Sequence, residues 1–276
     1  MKQTELLRLA VCISQGKYKE AQAICRSMPK QEKRGTWGYY GIKFADWLDN
    51  TDNKPNCTIF QKGNSKLPFY AFSAFPIVTC IGMGACGDWC YSLKAWRYPT
   101  AYFRQAYNTV MIREQSRHIA EAWHKLPKGA TVRLYVDGDI DSTRTLAFWM
   151  ELLRARPDVK AYGYSKSWPL FLAYAKANNF PANYKLNLSG GSRYNGEYLQ
   201  AMQRLDCVRG EFVAFKVPTK QKENATRYRR EVAHAAKDAG HGKVFVCPGK
   251  CGECARGKHA CGSDKFDGVT VAIGIH

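Results

Sequence analysis

The sequence predicts an α/β protein: a partial (β/α)6-type barrel or a parallel sheet, with a small helical subdomain before it. Three observations carry this. After about residue 55, short β-branched runs alternate with helical patterns about six times, the rhythm of parallel strands joined by helices. Polar and cysteine residues fall where those strands end. The first 55 residues instead show only helical periodicity.

In chain order, 3–15 reads as a helix with apolar Leu6, Leu7, Leu9, Ala10 and Ile13 on one side, stopped by Gly16. A second helix over 18–28 follows, and a third within KQEKRGTWGYYGIKFADWLDN. NTDNKPNC is a turn-rich linker, placing a boundary near residue 55 between a helical subdomain (1–55) and an α/β cysteine-cluster domain (56–276). PFYAFSAFPIVTC predicts a strand leading directly into Cys80. A long helix is expected over 100–125. Strands are predicted at 131–139, 159–167, 184–191, 211–217 and 243–247. Helices are predicted at 146–156, 169–179, 196–205 and 225–240.

The chain has 276 residues, 45% of them apolar and 13% aromatic, enough for a packed core. No apolar run is long enough to cross a membrane, and the N-terminus has no signal-peptide core, so a cytoplasmic protein is expected. In a reducing compartment, the 11 cysteines point to metal binding or catalysis before disulfides. A net charge of +19 points to DNA or RNA as partner, through phosphate neutralisation. The densest basic stretch includes Lys220, Lys222, Arg227, Arg229 and Arg230, the candidate nucleic-acid contacts. Tyr228, Tyr39, Tyr40 and Trp37 lie near basic stretches and could stack on bases or belong to the core.

Seven cysteines form two groups. CIGMGACGDWC holds Cys80, Cys86 and Cys90; CPGKCGECARGKHAC holds Cys247, Cys251, Cys254 and Cys261. Interleaved glycines let several thiolates turn toward one ion. Lys250, Arg256 and Lys258 are expected to lower the thiol pKa values. Four cysteines suit a zinc ion or an iron–sulfur cluster; three leave one metal position open for chemistry. His118, His124, His259 and His276 are weaker ligand candidates. Cys12 and Cys25 read as helix-core residues. Asp141 and Ser142 read as a cap for the helix that follows them, Asp139 as facing the site, and Ser165 and Lys166 as polar contacts for a cofactor or phosphate at a strand end.

KLPFYAFSAFPIVTC, WCYSLKAWRYP, VRLYVDGDIDS, VKAYGYSKSW, KLNLSGG and the cysteine-rich tail resemble the phage and plasmid family named for gene product 88. The family usually carries a Ser-Gly-Asp-Phe-like motif where this chain has Asp137-Gly138-Asp139-Ile140. More distantly, three cysteines after a first strand, with Trp89 before the last, are similar to radical S-adenosylmethionine enzymes. That similarity implies a 4Fe–4S cluster on Cys80, Cys86 and Cys90. Gly138 and Asp139 would then hold the amino group of S-adenosylmethionine, and Cys247, Cys251, Cys254 and Cys261 an auxiliary cluster or Zn2+. The competing expectation is a non-catalytic zinc or iron–sulfur protein that binds nucleic acid or a partner, in replication or in interference with another genetic element.

Overall fold

The computed structural model describes residues 1–64, 67–88, 90–194, 196–251, 254 and 259–275. Trp89, Arg256, Lys258 and His276, singled out in the sequence, lie outside these. Helices α1 (Gln3–Ser14), α2 (Tyr18–Arg26) and α3 (Trp37–Asp49) come first. Strands β1 (Gln61–Asn64) and β2 (Leu67–Ala71) follow. Then come α4 (Pro99–Arg113), α5 (Arg117–His124) and β3 (Thr131–Leu134). Next are α6 (Thr143–Ala155), β4 (Lys160–Ser165), α7 (Trp168–Ala175) and β5 (Tyr184–Ser189). The chain continues with α8 (Glu197–Gln203), β6 (Val208–Lys216), α9 (Ala225–Asp238), β7 (Val244–Val246) and β8 (Thr270–Ile275).

The strands form one eight-stranded sheet in the order β1-β2-β3-β4-β5-β6-β8-β7. β1 is antiparallel to β2, and every other pairing is parallel. From β1 to β6 the order is consecutive, as in a (β/α) barrel wall; a doubly wound sheet would reverse direction. Connections of one hand that never reverse put their helices on one face. The buried side chains divide accordingly. Val132, Leu134, Ala161, Leu186 and Leu188 share a core with the helices. Phe69, Tyr162, Tyr164 and Phe212 form a second cluster, with Cys247, Cys254, Ala260 and Cys261. Cys247, Cys254, Ala260 and Cys261, from the connection between β7 and β8, therefore lie on the face that the helices leave free.

Helices α1–α3 join the main core: the Tyr102 hydroxyl of α4 donates to the Leu6 carbonyl at 2.6 Å. Cys12 and Cys25 are buried there, as expected.

The structure corrects several expectations. The first parallel strand ends at Ala71, not at Cys80; the next residues are a loop pinned by the Phe75 N–H on Thr109 Oγ1 (3.0 Å). The long helix is two, because Gln115 turns at φ 50° and the Ser116 hydroxyl caps α5. β3 stops at Leu134, where Tyr135 takes φ 56°. β1 and β8 were not foreseen, and β8 inserts between β6 and β7. Among the described residues no helix is long and apolar enough to cross a membrane.

Candidate functional site

The first cysteine loop lies across the carboxyl ends of β4 and β5. The Arg193 N–H donates to the Gly82 carbonyl at 3.0 Å, Met83 pairs with Ser192, and the Ser192 hydroxyl donates to the Lys166 carbonyl at 3.0 Å. A Cβ at Gly82 would be driven into the Lys166 carbonyl, so only glycine allows this approach. That close crossing is one reason the loop is glycine-rich.

Below the loop, four strand ends are stitched together. Thr79 Oγ1 accepts the Asp139 N–H at 3.0 Å and donates to the Phe75 carbonyl at 2.6 Å. Asp139 Oδ1 accepts from the Ile140 N–H and Oδ2 from the Lys166 N–H, both at 2.8 Å. Lys166 Nζ donates to Ser189 Oγ at 2.6 Å, and Ser165 Oγ accepts the Ser167 N–H at 2.9 Å. Gly138, at φ +80°, has no room for a Cβ, which would stand 2.8 Å from Thr79 Oγ1. The four expected cofactor contacts, Gly138, Asp139, Ser165 and Lys166, thus meet in one network beneath Cys80.

Burial raises the Asp139 carboxyl above its ordinary range, against the backbone N–H groups that stabilise its charge. Burial also pushes the Cys80 thiol up to about 12, Asp139 adding to it and Lys166 opposing it. Cys86 sits in a short 3-10 turn, Ala85–Gly87. Cys90 borders an open pocket of about 390 Å³ lined by Gln3, Asp88, Leu93, Lys94 and Arg97. Ser142 caps α6 by accepting the Thr145 N–H, and Asp141 accepts the Thr145 hydroxyl, the expected capping arrangement.

The second group occupies the free face of the sheet. The Cys247 N–H donates to the Ala272 carbonyl at 2.7 Å, and Cys247 Sγ accepts the Gly249 N–H at 3.4 Å. Cys254 and Cys261 are buried, Cys247 and Cys251 half-buried. The charges that most affect Cys247 are its own group: Cys261, Cys251 and Cys254. No member of one group is among the charges that most shift the thiols of the other. Among the described residues, no three Cys, His, Asp or Glu side chains stand together as a ready metal-ligand set. The donor chemistry of each group nevertheless fits a thiophilic metal.

The expected lowering of the second group's thiols by nearby lysines gives way to burial. Desolvation carries Cys247 to about 12 and raises Cys251 and Cys261. The cations that oppose this come from the strands: Arg133 acts on Cys251 and Arg209 on Cys261. Neither arginine was foreseen. The signal was an arginine at an alternating position inside an apolar strand, in TVRLYV and CVRGEFV.

His259 also lies on this face, its ring 4.4 Å from Phe69 and 4.3 Å from Tyr162, and burial lowers its pKa to about 4. His118 instead contacts the Asp52 carbonyl at 3.0 Å, and His124 closes α5.

Lys220, Lys222, Arg227, Arg229 and Arg230 are all exposed at the start of α9 and just before it. Two are partly neutralised, Lys220 by Glu223 at 3.6 Å and Arg227 by Glu231 at 2.8 Å. Tyr228 is no stacking platform: it is 2% exposed, with its hydroxyl accepting the Gly274 N–H at 2.8 Å. Tyr40 is buried too, and Trp37 packs on Tyr102 and Phe103.

Among known proteins, the family model described as gene product 88 matches residues 46–266. No curated protein matches the chain, and no solved structure does.

Proposed function

Because the chain belongs to the gene product 88 family, we propose that it is a phage- or plasmid-type iron–sulfur protein, similar to radical S-adenosylmethionine enzymes, that acts on nucleic acid. The observation that carries the reading is the placement of Cys80, Cys86 and Cys90. They belong to the loop whose Gly82 and Met83 are pinned beyond the carboxyl ends of β4 and β5, in a sheet of consecutively ordered parallel strands, where α/β active sites form.

Three thiolates fit a four-iron cluster that leaves one iron free for a cofactor. Such a cluster, with S-adenosylmethionine bound, supplies one-electron chemistry. The chain's own residues orient and enclose. Gly138 and Asp139 would hold the cofactor's amino group beside Cys80, while Asp139 also ties β3 to β4 through the Lys166 N–H. Lys94 and Arg97, in the pocket at Cys90, offer positive charge to a carboxylate or phosphate.

The test is chemical analysis of oxygen-free protein, together with calorimetric titration by S-adenosylmethionine. The reading expects iron and sulfide, cofactor binding, and loss of that binding in Asp139→Ala. Protein that holds iron but does not bind S-adenosylmethionine overturns the enzyme reading.

A second reading is favoured by Lys222, Arg229 and Arg230, which are exposed and form no ion pair among the described residues. They suit a non-catalytic metal protein that binds DNA or RNA. It would retard nucleic acid in a salt-dependent way without binding S-adenosylmethionine.

A further inference from the structure

Two arginines reach the free face of the sheet, and no carboxylate among the described residues pairs with either. Arg209 is fully buried. Its Nε donates to Asn187 Oδ1 at 2.6 Å and its terminal nitrogens to the carbonyls of Phe266, Val269 and Glu211. These are neutral acceptors. Asp267 acts on it more weakly than Cys261 does, and Asp267 is itself paired with Lys185. Arg133 lies with its guanidinium 4.7 Å from the Tyr164 ring, its Nε buried without a hydrogen-bond partner among the described residues. An arginine cannot shed its proton to escape burial, and an uncompensated buried charge is costly.

The second cysteine group can supply the missing negative charge, and it lies within electrostatic reach of both arginines. Arg133 lies within electrostatic reach of Cys251, and Arg209 within that of Cys261. Asn187 links the two sides: its amide donates to the Cys261 carbonyl at 2.9 Å while its oxygen holds Arg209. The Gly249 N–H already points at Cys247 Sγ, the donation that stabilises a thiolate ligand. The buried Tyr162 hydroxyl has no hydrogen-bond partner of good geometry among the described residues and lies within electrostatic reach of Cys251 and Cys261.

We propose that Cys247, Cys251, Cys254 and Cys261 hold a metal centre of their own, whose charge Arg133 and Arg209 balance. Four thiolates around a divalent ion, or around a doubly positive four-iron core, leave two negative charges; two guanidiniums supply two positive ones. The metal fastens the β7–β8 connection onto the free face of the sheet. The proposal involves none of Cys80, Cys86 and Cys90, so it stands or falls apart from the reading above.

The test uses cobalt(II) as the probe on full-length chain stripped of metal and kept reduced. The expected result is one cobalt per chain with sulfur-to-cobalt charge-transfer absorption. It persists in the triple variant Cys80→Ser, Cys86→Ser, Cys90→Ser, where only the second group remains, and is lost when Cys251→Ser is added to that variant. Arg133→Gln weakens cobalt about 10- to 100-fold, the usual cost of losing an outer-shell partner, and Arg133→Lys recovers most of it. In protein as purified, alkylation followed by mass spectrometry finds these four thiols protected until a chelator is added. That reading serves even where a variant fails to fold. Free alkylation before chelation, cobalt retained when Cys251→Ser is added to the triple variant, or unchanged affinity in Arg133→Gln overturns the proposal.

Discussion

The two cysteine groups share glycine-rich sequence but live in different surroundings. The first lies over strand ends, beside a buried carboxylate and an open pocket. The second packs with Phe69, Tyr162, Tyr164 and Phe212 and lies within electrostatic reach of two arginines. The difference teaches that spacing alone leaves the two groups alike, and that their neighbours set them apart. An open edge with a carboxylate suits a bound, exchangeable cofactor. A walled, cation-matched group suits a permanent fastening.

The sharpest way to break this comparison is to remove a cation from each side. Arg209→Leu is expected to cost at least about 3 kcal/mol, because four oxygens lose their donor and each buried unsatisfied group costs ~1–3 kcal/mol. Arg97→Ala, at the open pocket, should stay within ~0.5 kcal/mol. Urea unfolding measures both, and similar losses would erase the distinction.

Next in size is Gly82→Ala. The added methyl meets the Lys166 carbonyl, and overpacking of this kind costs ~1–3 kcal/mol. A neutral result would mean that the loop does not cross β4 so closely.

Asp139 gives a pH signature confined to the first group. Its raised carboxyl pKa means the folded chain holds that proton to higher pH than the unfolded chain, whose value is about 3.9. The group's stabilising contribution is full below that value and falls as pH climbs through the window up to the raised one. Asp139→Asn should flatten this part of the stability curve; a curve of unchanged shape contradicts it.

The smallest effect tests the basic surface. Arg229→Ala and Arg230→Ala should each reduce the salt slope of nucleic-acid binding by about 1, with stability unaltered, in a gel-retardation series. An unchanged slope removes these two from the interface.

Much of the fold was legible because strand and helix periods alternate plainly from Thr131 onward. The seven ligand candidates were legible because glycine-spaced cysteines are rare elsewhere in the chain. The helix break at Gln115 was hidden, since a residue other than glycine adopts the left-handed turn. β8 was hidden by its place in the chain rather than its residues: TVAIGI is β-branched and apolar, but its pairing between β6 and β7 is a long-range choice. Arg133 and Arg209 became informative only once alternation placed them on the face that holds the cysteines.

The central claim is that the two groups are separate metal sites. Iron, acid-labile sulfide and zinc would be measured in oxygen-free protein and in the triple variant Cys80→Ser, Cys86→Ser, Cys90→Ser. The account predicts that the variant loses about four irons with their sulfide and keeps the metal held by the second group. Loss of all metal together, or an iron content unchanged by the substitutions, would contradict it.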